Sequence, residues 1–313
     1  MSWRHVIDAF ELLDSARVDG EQVAAAWRAS GITDVSVTRI RGEKGSTDFV
    51  KATIPGTLGK SAGGGAPTLG VVGRLGGLGA RPQRIGFVSD GDGALTAVAC
   101  ALTLAAMRQK GDALPGDVIV ATHICPNAPT QPHDPVPFMG SPVDMAQMNR
   151  QEVDGRMDAI LSVDTTKGNR IINMRGFAIS PTVKQGYILR VSEDLLTVMQ
   201  IVTGRLPAVF AITTQDITPY GNGVFHINSI LQPAIATVAP VVGVAITAEV
   251  AVPGSATGAT HLEDVESAVR FCIEVAKAYG AGQCHFYDEA EFARLQSLYG
   301  DMSRLQTLGV GAS

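Results

Sequence analysis

Apolar residues recur at helical spacing through the first thirty positions, with Val6, Phe10 and Leu13 on one stripe and Val23, Ala26 and Trp27 on another, which predicts two short opening helices. The period then changes. Residues 35–40 and 49–54 alternate apolar and polar positions with turn residues between them, so they read as paired strands. Short apolar runs follow at 68–73, 84–88, 117–121, 159–163, 208–213 and 240–247 and read as buried strands. Residues 95–110 show a helical pattern. A second helix starts at Thr260-His261-Leu262-Glu263, which has the spacing of a capping box, and ends at Gly280. The alternation of strands and helices predicts an α/β fold, a three-layer α/β/α sandwich with a mixed, mostly parallel sheet. One domain is expected over 1–313, with a flexible glycine-rich loop at 56–67 and a C-terminal helix at 288–308.

Composition narrows the class of function. The chain has 313 residues, 45% of them hydrophobic and 18% charged, with a formal charge of −5, enough apolar content for an ordinary core. No basic tract exists, which argues against nucleic acid as a partner. The stretch 224–248 carries no formal charge, but Pro233 and Pro240 interrupt it, so it reads as buried strands and loops and no membrane is expected. Four cysteines without CxxC spacing and no preceding secretory segment point to a reducing cytoplasm. The apolar content also fits a homo-oligomer.

Chemistry-bearing residues concentrate where predicted strands end. Ser89-Asp90-Gly91-Asp92-Gly93 leads into a helix, and acids there can hold a divalent metal or cap the helix. The run Thr122-His123-Ile124-Cys125-Pro126, followed by Pro132-His133-Asp134-Pro135, carries five prolines between 126 and 137 that stiffen it. His123, Cys125, His133 and Asp134 are therefore the catalytic candidates, with the thiol read as nucleophile, ligand or plain buried residue. Asp164 ends another strand and is followed by Lys167, which can bind an anionic group or neutralise the acid. Asp216, Tyr220, Asn222 and His226 lie in a polar, turn-rich segment suited to lining a pocket. The glycines at 73–79 match neither GxGxxG nor a phosphate-binding loop, so no nucleotide cofactor is expected.

The order of these parts resembles the M42 zinc aminopeptidases and the wider M20/M28/M42 clan. Ser89-Asp90-Gly91-Asp92-Gly93-Ala94 is similar to that family's Asp-Asp-Arg-x-Gly-x-Ala turn, and Val163-Asp164-Thr165 to its Val-Asp-Val/Thr step. The resemblance implies a zinc-peptidase (phosphorylase/hydrolase-like) fold and a divalent metal such as zinc on Asp90 and Asp164, to which the residues' own chemistry would add Asp92 and His123 or His133. The sequence departs from the family elsewhere: its first His-x-Asp is replaced by Val72-Gly73-Arg74, its Glu-Glu pair by Ile124-Cys125-Pro126, and its late histidine by Pro253 or Gly254. Residues 125–130 and 214–223 also resemble an uncharacterised family, DUF1177, which carries no activity with its name. The expectation is thus a hydrolase of an amide-type bond in a small polar molecule or peptide, on a peptidase-like scaffold with an altered site. The alternative is a non-catalytic binder of a small molecule or peptide that has lost the metal site.

Overall fold

The computed structural model describes residues 2–74, 77–132, 134, 138–212, 224 and 227–307. The chain opens with helices α1 (Ser2–Asp14) and α2 (Gly20–Ala29), then the hairpin β1 (Asp34–Gly42) and β2 (Gly45–Ile54). Next come β3 (Leu69–Gly73), α3 (Asp92–Gln109) and β4 (Val118–Ile124). A small hairpin, β5 (Thr130–Gln131) and β6 (Phe138–Met139), precedes α4 (Met145–Glu152) and β7 (Ala159–Thr165). Three short strands, β8 (Gly176–Ile179), β9 (Val183–Lys184) and β10 (Tyr187–Ile188), lead to α5 (Glu193–Thr203). A 3-10 turn, Ser229–Ile235, then β11 (Val241–Thr247), α6 (Leu262–Gly280) and α7 (Glu289–Tyr299) complete the described elements.

Nine of these strands form one mixed sheet in the order β1-β2-β4-β3-β7-β11-β9-β10, with β8 also paired to β11. The middle four, β4-β3-β7-β11, are mutually parallel, and the margins are antiparallel. Burial explains the composition of the central strands: β3, β4 and β11 are buried along their whole length, so apolar residues face both sides. One face is covered by α1, α2, α3, α5 and α6, whose core residues include Leu13, Trp27, Leu95, Leu195 and Phe271. Among the described residues, the second face is covered by Phe210, Ile212 and Ile227, by the 3-10 turn at 229–235, and by α4, which lies against both β2 and β4.

Several expected elements take a different form. Residues 84–88 make no strand; only an isolated bridge joins Val88 to Thr257. Residues 208–212 likewise contribute a single bridge, Val209 to Ile179, and 213 lies outside the described residues. The cap of α6 is His261, which makes no side-chain cap bond, because the Thr260 hydroxyl is spent on Asp92 instead. The C-terminal helix stops at Tyr299, followed by a short 3-10 turn at Ser303–Gln306. Residues 56–67 are anchored by Asp117, whose carboxylate accepts from Gly56 N, Ser61 N and the Ser61 hydroxyl. By length and composition Ser89–Gln109 could cross a membrane, yet 78% of its most apolar stretch is buried, and α3 packs on β3, β4, α1 and α6.

Candidate functional site

The strand order itself selects a place for chemistry. From β3 the chain passes through α3 to β4 on one side, while β7, the next strand of this sheet, lies on the other side of β3. The carboxyl ends of β3 and β7 therefore flank a topological switch point, where open α/β sheets leave a crevice. Gly93, in the first turn of α3, sits directly on this point. A Cβ there would stand 2.3 Å from the Arg74 carbonyl oxygen and 2.7 Å from that of Val163, so only glycine lets the helix start so close to the strand ends.

On the α3 side of the sheet, Lys167 Nζ donates to Asp92 Oδ2 at 2.9 Å, and the Thr260 hydroxyl donates to Asp92 Oδ1 at 2.7 Å. Burial pushes the Asp92 carboxyl above its ordinary range, and Lys167 and Thr260 offset that push only in part. Asp90 stands beside it, half-buried, with its carboxyl against Gly254, where a Cβ would approach Oδ2 to 2.3 Å. Desolvation pushes Asp90 up to about 6, despite a bond from the Met139 backbone N–H, with the neighbouring Asp92 adding to the rise.

The opposite side carries a denser network. Strand alternation turns Ile119 and His123 of β4, Val72 of β3, and Ile160, Ser162 and Asp164 of β7 toward this second face. Arg74 continues β3, with its N–H donating to Val163 O at 2.7 Å. By register, His123, Arg74 and Asp164 then form one row across three neighbouring strands. Above the row, α4 supplies Asn149 and Glu152, one helical turn apart. His123 Nδ1 lies 2.6 Å from Glu152 Oε1, and Arg74 Nη1 donates to Glu152 Oε2 at 2.5 Å and to Asn149 Oδ1 at 3.0 Å. Arg74 Nη2 also contacts the Met145 sulfur. His123 and Glu152 are 0% exposed and Arg74 is 2%.

Burial alone would raise Glu152, but the Arg74 guanidinium and the His123 ring hold its carboxyl below the usual range. A carboxylate only accepts hydrogen bonds, so the proton between the two groups resides on Nδ1, and any neutral form of the ring with that proton in place has its lone pair on Nε2. That Nε2 is buried and has no partner among the described residues. Glu152 thus orients the ring, Arg74 keeps Glu152 ionised, and Asn149 ties Arg74 to the Gln232 carbonyl through a 3.4 Å bond from its amide.

The expected metal set is divided by the sheet. Asp90 and Asp92 belong to the α3 side, whereas Asp164 and His123 share the second face, with the β3 and β7 ends between them. Both Asp92 oxygens are taken, and among the described residues no three His, Cys, Asp or Glu side chains group to hold a metal. The described side chains therefore do not fit a shared ion on that set. Asp164 accepts from its neighbour's N–H, Thr165, at 2.7 Å. Cys125 is 2% exposed and burial pushes its thiol up to about 11, so at neutral pH it is a protonated, apolar-packed residue beside Ala80, Val88, Ala128 and Met139. Asp134 is exposed. His133, Asp216, Tyr220, Asn222 and His226 lie outside the described residues.

Glu152, Arg74, Asn149 and Thr260 are site residues that the sequence reading does not single out. A signal for two of them exists: Asp144 caps α4 by accepting from Gln147 N, and Met145, Met148, Asn149 and Glu152 fall at i, i+3, i+4, i+7. A polar pair on the buried stripe of a capped helix is itself a mark of an internal network. Comparison with curated proteins gives no match. A family model described as protein of unknown function, DUF1177, matches residues 38–309, and the chain belongs to that family.

Proposed function

We propose that the protein hydrolyses an amide-type bond in a small polar molecule or peptide, with His123 as general base. One observation carries the reading: a buried imidazole whose Nδ1 is fixed on Glu152 while Nε2 is left without a partner at the carboxyl edge of the sheet. Nε2 takes a proton from water as its oxygen attacks the carbonyl carbon. The imidazolium so formed is stabilised by the Glu152 carboxylate, and it returns the proton to the leaving nitrogen as the C–N bond breaks. The products are a carboxylic acid and an amine, with one water consumed. Arg74 acts at one remove, by keeping Glu152 ionised.

This reading differs from the one suggested by the zinc-peptidase resemblance, because no step runs through Asp90 or Asp92, and Cys125 is not a nucleophile. A second reading, a binder without chemistry, is favoured by the complete burial of His123, which keeps bulk water from Nε2 in this conformation. The test is turnover of a panel of aminoacyl 4-nitroanilides and 4-nitrophenyl esters by the full chain and by H123Q. A fall in kcat of at least about a hundredfold in H123Q, with thermal unfolding retained, supports the hydrolase. Equal rates in the two proteins, or none in either, overturn it.

A further inference from the structure

Buried side-chain polar atoms without a partner are costly, so a group of them near one place is informative. Besides His123 Nε2, the Thr166 hydroxyl is such an atom, and Thr166 is 3% exposed. Its backbone N–H donates to Ile246 O at 2.9 Å, so Thr166 extends the β7 ladder by one residue. Alternation then fixes its side. Val163 and Leu161 face the α3 layer, and the Thr165 hydroxyl bonds Ser89 O on that same side, so Asp164 and Thr166 turn to the second face with His123.

We propose that Thr166 is a ligand-binding residue, whose hydroxyl hydrogen-bonds a polar molecule lying across the carboxyl ends of β4, β3 and β7 with its other end on His123. The proposal rests on reading the second face as the functional site. His123 and Thr166 stand on strands two spacings apart, about 10 Å, and two residues apart along the strand direction. A ligand that satisfies both is an extended chain of about three residues or an equally long polar molecule, with a donor for Nε2 at one end and a carbonyl or hydroxyl for Thr166 at the other. Arg74, in the row between, is already paired with Glu152, so it offers a ligand no uncompensated positive charge, which suits a neutral, amide-rich ligand better than an anionic one.

The test compares the full chain with T166V, using N-acetylglycylglycinamide as probe. Because the hydroxyl bonds nothing in the free protein, T166V should keep or raise the unliganded Tm, whereas a hydroxyl that holds the fold together would lower it by about 4 °C or more. Calorimetric titration should show the probe bound at least about tenfold more weakly by T166V. A lowered unliganded Tm, an unchanged Kd, or no saturable binding to the native chain overturns the proposal. Saturable binding that T166V weakens, together with no turnover of the nitroanilide panel, leaves the proposal standing and sinks the hydrolase alone.

Discussion

Lys167 and Asp92 meet at 2.9 Å with side chains 5% and 0% exposed, joining the loop after β7 to the first turn of α3. The pair closes one side of the switch point. Removing one member strands the other charge in a dry place, whereas removing both leaves only a packing defect.

K167M is therefore expected to lose about 3–5 kcal/mol in urea unfolding at pH 7.5, and D92N/K167M to recover a large part of that loss. The K167M deficit should shrink toward pH 4, since burial already favours the protonated Asp92. A single variant that costs less than about 1 kcal/mol would show that the pair does not hold in solution.

Glu152 behaves in the opposite sense. Its folded-state pKa lies below the unfolded value, so the stability that it contributes is present above the ordinary carboxylate range and is lost as pH falls through the folded pKa. E152Q should cost about 3 kcal/mol at pH 7 by leaving the Arg74 guanidinium without an anion, and the gap to the native chain should narrow below about pH 4. A gap that stays constant from pH 7 to pH 3 contradicts this assignment.

For Asp90 the folded-state pKa is raised from 3.8 to about 6, so the native state binds the proton more tightly than the unfolded chain. Between these values stability falls as pH rises, and above pH 6 the full penalty, about 2–3 kcal/mol, is in place. D90N, which cannot ionise, should be the more stable protein at pH 7.5 and should lose that advantage by pH 4. Denaturant midpoints measured across this range check the sign, and a D90N that is less stable at pH 7.5 refutes it.

Much of the frame was legible in the order of residues. Apolar runs at 68–73, 117–121 and 240–247 mark strands buried on both faces, and such strands need parallel neighbours and covering layers. Asp164 and His123 drew attention because each closely follows such a run, and the fold sets both on the second face. Residues 84–88 misled for a physical reason: Phe87 is buried against Phe10 of α1 and Val88 against Ala80, Cys125, Ala128 and Met139, and burial alone does not make a ladder. Arg74 was read as a departure from a metal-binding pattern, when it is a cation built into the row that His123 and Asp164 share. Glu152 escaped notice because its partners are 78 and 29 positions away, and no local pattern states which side chains a sheet will bring together.

The unequal cover of the sheet bears on how a ligand enters. Among the described residues, five helices seal one side, while residues 208–212, the 3-10 turn at 229–235 and the two-turn α4 shield much of the other. Local opening draws on the least stabilised part of a structure, so lifting the second side costs a fraction of global unfolding and leaves the α3 and α6 layer intact. His123 can thus be sealed at rest and still be reached, through a transient breach that amide hydrogen exchange would register on the 3-10 turn long before it registers on α3.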